Sequence, residues 1–273
     1  MSNVFWGAPE AMAENANPFA LLLGDSWFWY PLDNLAVEIA AAMPDQQFVV
    51  AGTNGANAGD WGAKLRRSTD FTFKMYAKDV RALILSGGGN EIAGEDDFLA
   101  ILAEPEQCRN ATSVEQCYEA GQPDGVMTRI AAAYRASILK FRAYNQAATV
   151  FTHNYDHCWP TGKGFFGPGD WLKRPMDLAE VPDKLRRDLF KDLLRRLYEM
   201  QQQLAKEPGL MPMVPIRTAG TLPDEERMWA NEIHPTPRGF RLLARDAIVP
   251  ALQNAMAAPA AASTRRAKRK KKS

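Results

Sequence analysis

Short apolar runs recur along the chain at residues 19–23, 47–51, 80–85, 148–152 and 211–216. Each is apolar at nearly every position and bounded by Gly, Asn or Pro, which suits strands buried on both faces rather than half-solvated ones. Segments of helical period lie between them. The clearest is 183–206, where Leu185, Leu189, Leu193 and Leu197 repeat every fourth residue and Phe190 and Leu194 widen the stripe. Residues 126–145 form a second. A third, 31–43, begins at Pro31, a residue suited to a first helical turn. A last helix starts near Pro237. Strands alternating with helices predict an α/β protein: a three-layer α/β/α sandwich around a five-stranded parallel sheet with right-handed crossovers.

Two stretches break the alternation. Residues 92–125 are acidic and carry Cys108 and Cys117; residues 153–182 are rich in Gly, Pro and aromatic side chains. Both follow strands, so both are expected at the carboxyl edge of the sheet, where open α/β folds bind ligands. Residues 1–256 are read as one domain containing these insertions. Residues 257–273 (AAPAAASTRRAKRKKKS) are a low-complexity linker and basic tail, expected to be disordered.

Composition narrows the class. The 273 residues are 46% hydrophobic and 24% charged, ordinary for a globular protein. No apolar run reaches the ~18–20 residues of a membrane span, and no secretory signal is visible, so a cytoplasmic protein without a transmembrane segment is expected. The formal net charge of +1 conceals seven basic side chains within 265–272, which leaves −6 on the remainder. Such a tail is either a solvated appendage or a weak contact for a polyanion. Two unpaired thiols are the expected state of Cys108 and Cys117.

Four segments carry candidate chemistry. The first apolar run leads into Gly24-Asp25-Ser26-Trp27, which places a serine between a buried strand and a helix. Backbone N–H groups there favour developing negative charge. The second run precedes Asn54-Gly55-Ala56-Asn57-Ala58-Gly59-Asp60, and the third precedes Gly87-Gly88-Gly89-Asn90. Three consecutive glycines cost conformational entropy, so something must approach that backbone closely, and Asn90 can offer an amide to an oxyanion. The fourth segment, Asn231-Glu232-Ile233-His234-Pro235-Thr236, supplies a histidine able to act as general base.

Together these segments resemble the SGNH (GDSL-type) hydrolase superfamily, in the family's order across residues ~19–250. The resemblance implies the flavodoxin-like fold of that family and serine-dependent hydrolysis of carboxylic esters without a cofactor or metal. It implies Ser26 as nucleophile and His234 as base. The Ser26 N–H, the Gly59 N–H (with Gly55 the alternative) and the Asn90 amide would form the oxyanion hole. One position departs from the pattern: the usual D-x-x-H reads Asn231-Glu232-Ile233-His234 here. An amide can orient an imidazole but cannot stabilise its cation by charge. Glu232 is expected to point elsewhere, while Asp224, Glu225 or Glu226 could reach in as the acid.

Other groups fit the cleft less directly. Trp27, His153, Tyr155 and Asp156 are expected to contact substrate, a small-molecule, lipid or glycan ester. Phe165, Phe166 and Trp171 could add an apolar acyl pocket. His153, Asp156, His157 and Cys158 contain metal-ligand types, but consecutive loop residues seldom converge, so metal binding is not expected. Gly162-Lys163-Gly164-Phe165-Phe166-Gly167 spells G-x-G-x-x-G, yet Pro168-Gly169 follows where a phosphate-binding helix should start. The alternatives to hydrolysis are an acyltransferase on the same fold, and a ligand-binding homologue weakened by Asn231.

Overall fold

A computed structural model describes residues 3–257 except Leu32 and Asp170. The basic segment 265–272 therefore lies outside the described residues. A parallel sheet of six strands forms the centre: β1 (Val4–Trp6), β2 (Ala20–Gly24), β3 (Phe48–Gly52), β4 (Ala82–Ser86), β5 (Thr149–His153) and β6 (Met213–Ile216), in the spatial order β1-β3-β2-β4-β5-β6. β2 to β6 are the five strands expected from the apolar runs, each placed within two residues. β1 is an addition. Its three residues pair in parallel with β3, Val4 opposite Phe48. The side chains of β2 and β4 are buried throughout, which explains their uninterrupted apolar character.

Helices cover both faces. Gln122–Arg142 and Asp183–Leu204 correspond to two of the expected helices. In the second, the leucine stripe is buried as the four-residue spacing requires. The segment 31–43 differs from expectation: its helix is Leu35–Ala42, capped by Asn34, whose side chain accepts the Val37 N–H at 3.1 Å. Pro31 instead follows a separate one-turn helix, Ser26–Trp29, capped by Asp25. The final helix starts at Pro237 and continues through a π-turn at Ala244–Ile248 into Val249–Ala257.

The insertions fold into short pieces rather than open loops. Residues 92–125 include helices Glu95–Leu99 and Pro105–Arg109, and 153–182 includes Lys173–Leu178. Cys108, Cys117 and Cys158 are all free thiols. Among the described residues no helix is long and apolar enough to cross a membrane.

Candidate active site

β2 delivers its serine to the carboxyl edge of the sheet. Asp25 is buried and turns the chain into the helix by accepting the Trp27 N–H at 3.0 Å on Oδ1. The same oxygen accepts the Ser86 hydroxyl at 2.9 Å, and Oδ2 accepts the Tyr155 hydroxyl at 2.6 Å. Burial still dominates and raises the Asp25 carboxyl to about 6. Ser26 sits at the first position of that helix, where a backbone N–H has no intrahelical acceptor.

The close passage of β2 and β3 decides where Ser26 lies. Gly24 is opposite Gly52, and Gly52 has φ +114. A Cβ on Gly52 would stand 1.9 Å from the Gly24 carbonyl oxygen, so no other residue fits there. The glycine triplet after β4 has a comparable reason. A Cβ on Gly87 would strike the Trp61 ring at 2.5 Å, and one on Gly89 would meet the Tyr155 ring at 2.8 Å. What approaches this backbone is the protein's own side chains, Leu197 and Ile130 at Gly88 and the two aromatic rings on either side.

His234 reaches Ser26 from the loop before the last helix. Its Nε2 lies 2.7 Å from Ser26 Oγ, and its Nδ1 lies 3.0 Å from Asn231 Oδ1. The orientation of the amide follows from its neighbours. Asn231 Oδ1 also accepts the backbone N–H groups of Ile233 and His234, while Nδ2 donates to the Tyr30 hydroxyl at 3.1 Å. Nδ1 of His234 therefore carries the proton, and Nε2 presents a lone pair to Ser26. Tyr30 stacks on the imidazole at 4.2 Å and Trp171 meets it edge-on at 5.8 Å. Burial without a nearby carboxylate pushes the His234 pKa down to about 3.

None of the three acidic candidates is bonded to His234, and Glu232 points elsewhere as expected. Asp224 pairs with Arg187 and Glu225 with Arg227. Glu226 begins a 3-10 turn and borders surface clefts that His234 does not line. Glu232 is fully buried and accepts the N–H groups of Gly162, Trp171, Leu172 and Lys173, so it ties the 162–173 loop to the histidine loop.

An open cleft of about 330 Å³ adjoins the pair, lined by Ser26, His234, Tyr30, Gly55, Asn90, Phe165 and Trp171 among others. Asn90 Nδ2 gives one hydrogen to the Ala56 carbonyl at 2.8 Å, which fixes the amide beside Ser26. The sequence offered Gly59, with Gly55 as the alternative. Gly59 does not line the cleft; the N–H of its neighbour Ala58 donates to the Glu91 carboxylate at 2.6 Å. Gly55 lines the same cleft as Ser26. Burial lifts Glu91 to about 7.

The expected substrate contacts divide. Trp27, Tyr155 and Asp156 border a narrow slot behind Ser26. His153 does not. It is fully buried at the end of β5, stacked on Trp27 at 5.5 Å, and burial lowers its pKa to about 3. Asp156 spends its carboxylate on the N–H groups of His157, Gly220 and Leu222. Phe166 is 90% exposed and outside the cleft that Phe165 lines. Among the described residues no three His, Cys, Asp or Glu side chains converge as a metal site. Nothing in the chain's residue pattern signals the support role of Tyr155, whose hydroxyl donates to Asp25 and accepts the Gly89 N–H at 3.0 Å.

No protein-family model and no curated protein matches the sequence. Solved structures do match. A lipase from a goat-rumen metagenome has 15% identity and a TM-score of 0.52, over 86% of this chain and 96% of that one. An extracellular lipase from Streptomyces rimosus has 14% identity and a TM-score of 0.52, over 86% and 98%. A phospholipase A1 from Streptomyces albidoflavus has 15% identity and a TM-score of 0.52, over 88% and 99%. The chain thus has the fold of these lipases, the flavodoxin-like sandwich of the SGNH hydrolases that its four sequence blocks resemble.

Proposed function

We propose that the protein is a serine ester hydrolase acting through an acyl-enzyme. The observation that carries this reading is the Ser26–His234–Asn231 chain, at 2.7 and 3.0 Å, opening onto a cleft that also holds Asn90. Ser26 Oγ attacks the ester carbonyl as its proton passes to His234 Nε2. The oxyanion takes hydrogen bonds from the Ser26 N–H, the free hydrogen of the Asn90 amide and the Gly55 N–H. As the tetrahedral adduct collapses, the C–O bond to the alcohol breaks and His234 returns its proton to the departing oxygen. Water, deprotonated by His234, then releases the acid and regenerates Ser26.

Asn231 holds the imidazole in the tautomer the first step needs. It supplies no charge, so the imidazolium is stabilised only by the oxyanion formed at the same moment. Ser26→Ala and His234→Ala are each expected to lower turnover of p-nitrophenyl acetate by about three orders of magnitude or more with the fold retained by circular dichroism. Activity near that of the wild type in Ser26→Ala would exclude the mechanism.

A further inference from the structure

Two spaces of very different size meet at Ser26. The outer cleft of about 330 Å³ includes His234 in its wall. The inner slot holds only about 20 Å³ and does not include His234. That is room for one group of the size of a water or a methyl. Its walls include Trp27, Tyr155, Cys158, Phe190 and Ile233, with Asp25 and Asp156 also on its lining.

Proton transfer assigns the sides, given the ester hydrolysis proposed above. The departing alcohol oxygen must take its proton from His234 Nε2, so the alcohol lies in the space that His234 lines. The carbon chain of the acyl group must then enter the slot. The walls are braced against widening. Trp27 Nε1 donates to the Ile233 carbonyl at 3.1 Å, Tyr155 is pinned by Asp25 and Gly89, and Phe190 packs edge-on against Phe98 at 6.2 Å. A longer chain would force these side chains off their packing. Across Ser26, Tyr30, Phe165 and Trp171 give the alcohol a broad aromatic surface.

We propose that the protein is selective for acetyl esters of bulky alcohols, with Phe190 closing the acyl slot. The test is kcat/KM for p-nitrophenyl acetate, butyrate and hexanoate, with the wild type, Phe190→Ala and the milder Phe190→Leu. The wild type should prefer acetate to butyrate by about tenfold or more, and hexanoate should be poorer still. At least one Phe190 variant should raise the butyrate-to-acetate ratio about tenfold. That ratio is measured within one preparation, so partial unfolding does not alter it. Hexanoate equal to acetate in the wild type, or ratios unmoved in both variants, would overturn the slot assignment and leave ester hydrolysis standing. Absence of turnover across the whole series would overturn the serine-hydrolase reading and this one with it.

Discussion

At the scale of single residues, position 231 sets the character of the site. Above about pH 5 His234 is neutral, because burial holds its pKa near 3 and Asn231 offers no charge to raise it. kcat/KM is therefore expected to stay level as pH falls from about 8 to about 5, where a histidine near its ordinary value of about 6.5 would already be protonated. Asn231→Asp adds a carboxylate at Nδ1, which favours the imidazolium. That variant should raise turnover and move the acidic limb of the profile to higher pH. A loss of rate without a shifted limb would show that the amide serves another purpose. Asn90→Ala should cost about 2.7–4 kcal/mol of transition-state stabilisation, read as the fall in kcat/KM.

Ser26 and Asn90 stand in short blocks after β2 and β4, and His234 in a block that leads into the last helix, which is why the sequence offered the three together as candidates. The glycine was not, since Gly55 and Gly59 share one loop and only the course of the cleft, which Gly55 lines, tells them apart. His153 misled because a histidine after a strand reads alike whether it faces a cleft or a core.

At the scale of elements, buried hydrogen bonds and close approaches hold the loops in place. Glu232 joins the histidine loop to the 162–173 loop through four backbone N–H groups. Glu232→Ala leaves those donors without partners, and buried orphan donors cost about 1–3 kcal/mol each. A loss of about 3 kcal/mol or more in urea unfolding is expected; an unchanged midpoint would mean that the loops are held by other contacts. β2 to β6 and the long leucine-striped helix follow from hydrophobic period. β1 was missed because three residues are too few to form a pattern. The helix start at Leu35 was misjudged because Asn34, not Pro31, provides the cap.

At the scale of the whole molecule, the net charge of +1 joins an acidic body to a cationic tail. Removing residues 258–273 should leave ester turnover unchanged; lost turnover would make the tail part of the catalytic unit. Acid stability is governed by groups inside the body. His153 and His234 are buried neutral with pKa values near 3, so below about 6.5 the unfolded chain takes up their protons first. Each then costs about 1.4 kcal/mol per pH unit until about pH 3. Asp25 and Glu91, raised to about 6 and about 7, act in the opposite sense: the folded chain binds their protons first. The two pairs offset one another between about pH 6 and pH 4.5, and only the histidines remain below about pH 4. The urea midpoint should therefore be nearly level across the first interval and fall below it.

The central claim is that Ser26 is an activated nucleophile. Intact-mass analysis after treatment with a fluorophosphonate tests it most directly. One adduct located on Ser26, absent from Ser26→Ala and formed far more slowly by His234→Ala, is the expected result. An unlabelled wild type, or equal labelling of Ser26→Ala, would contradict the account.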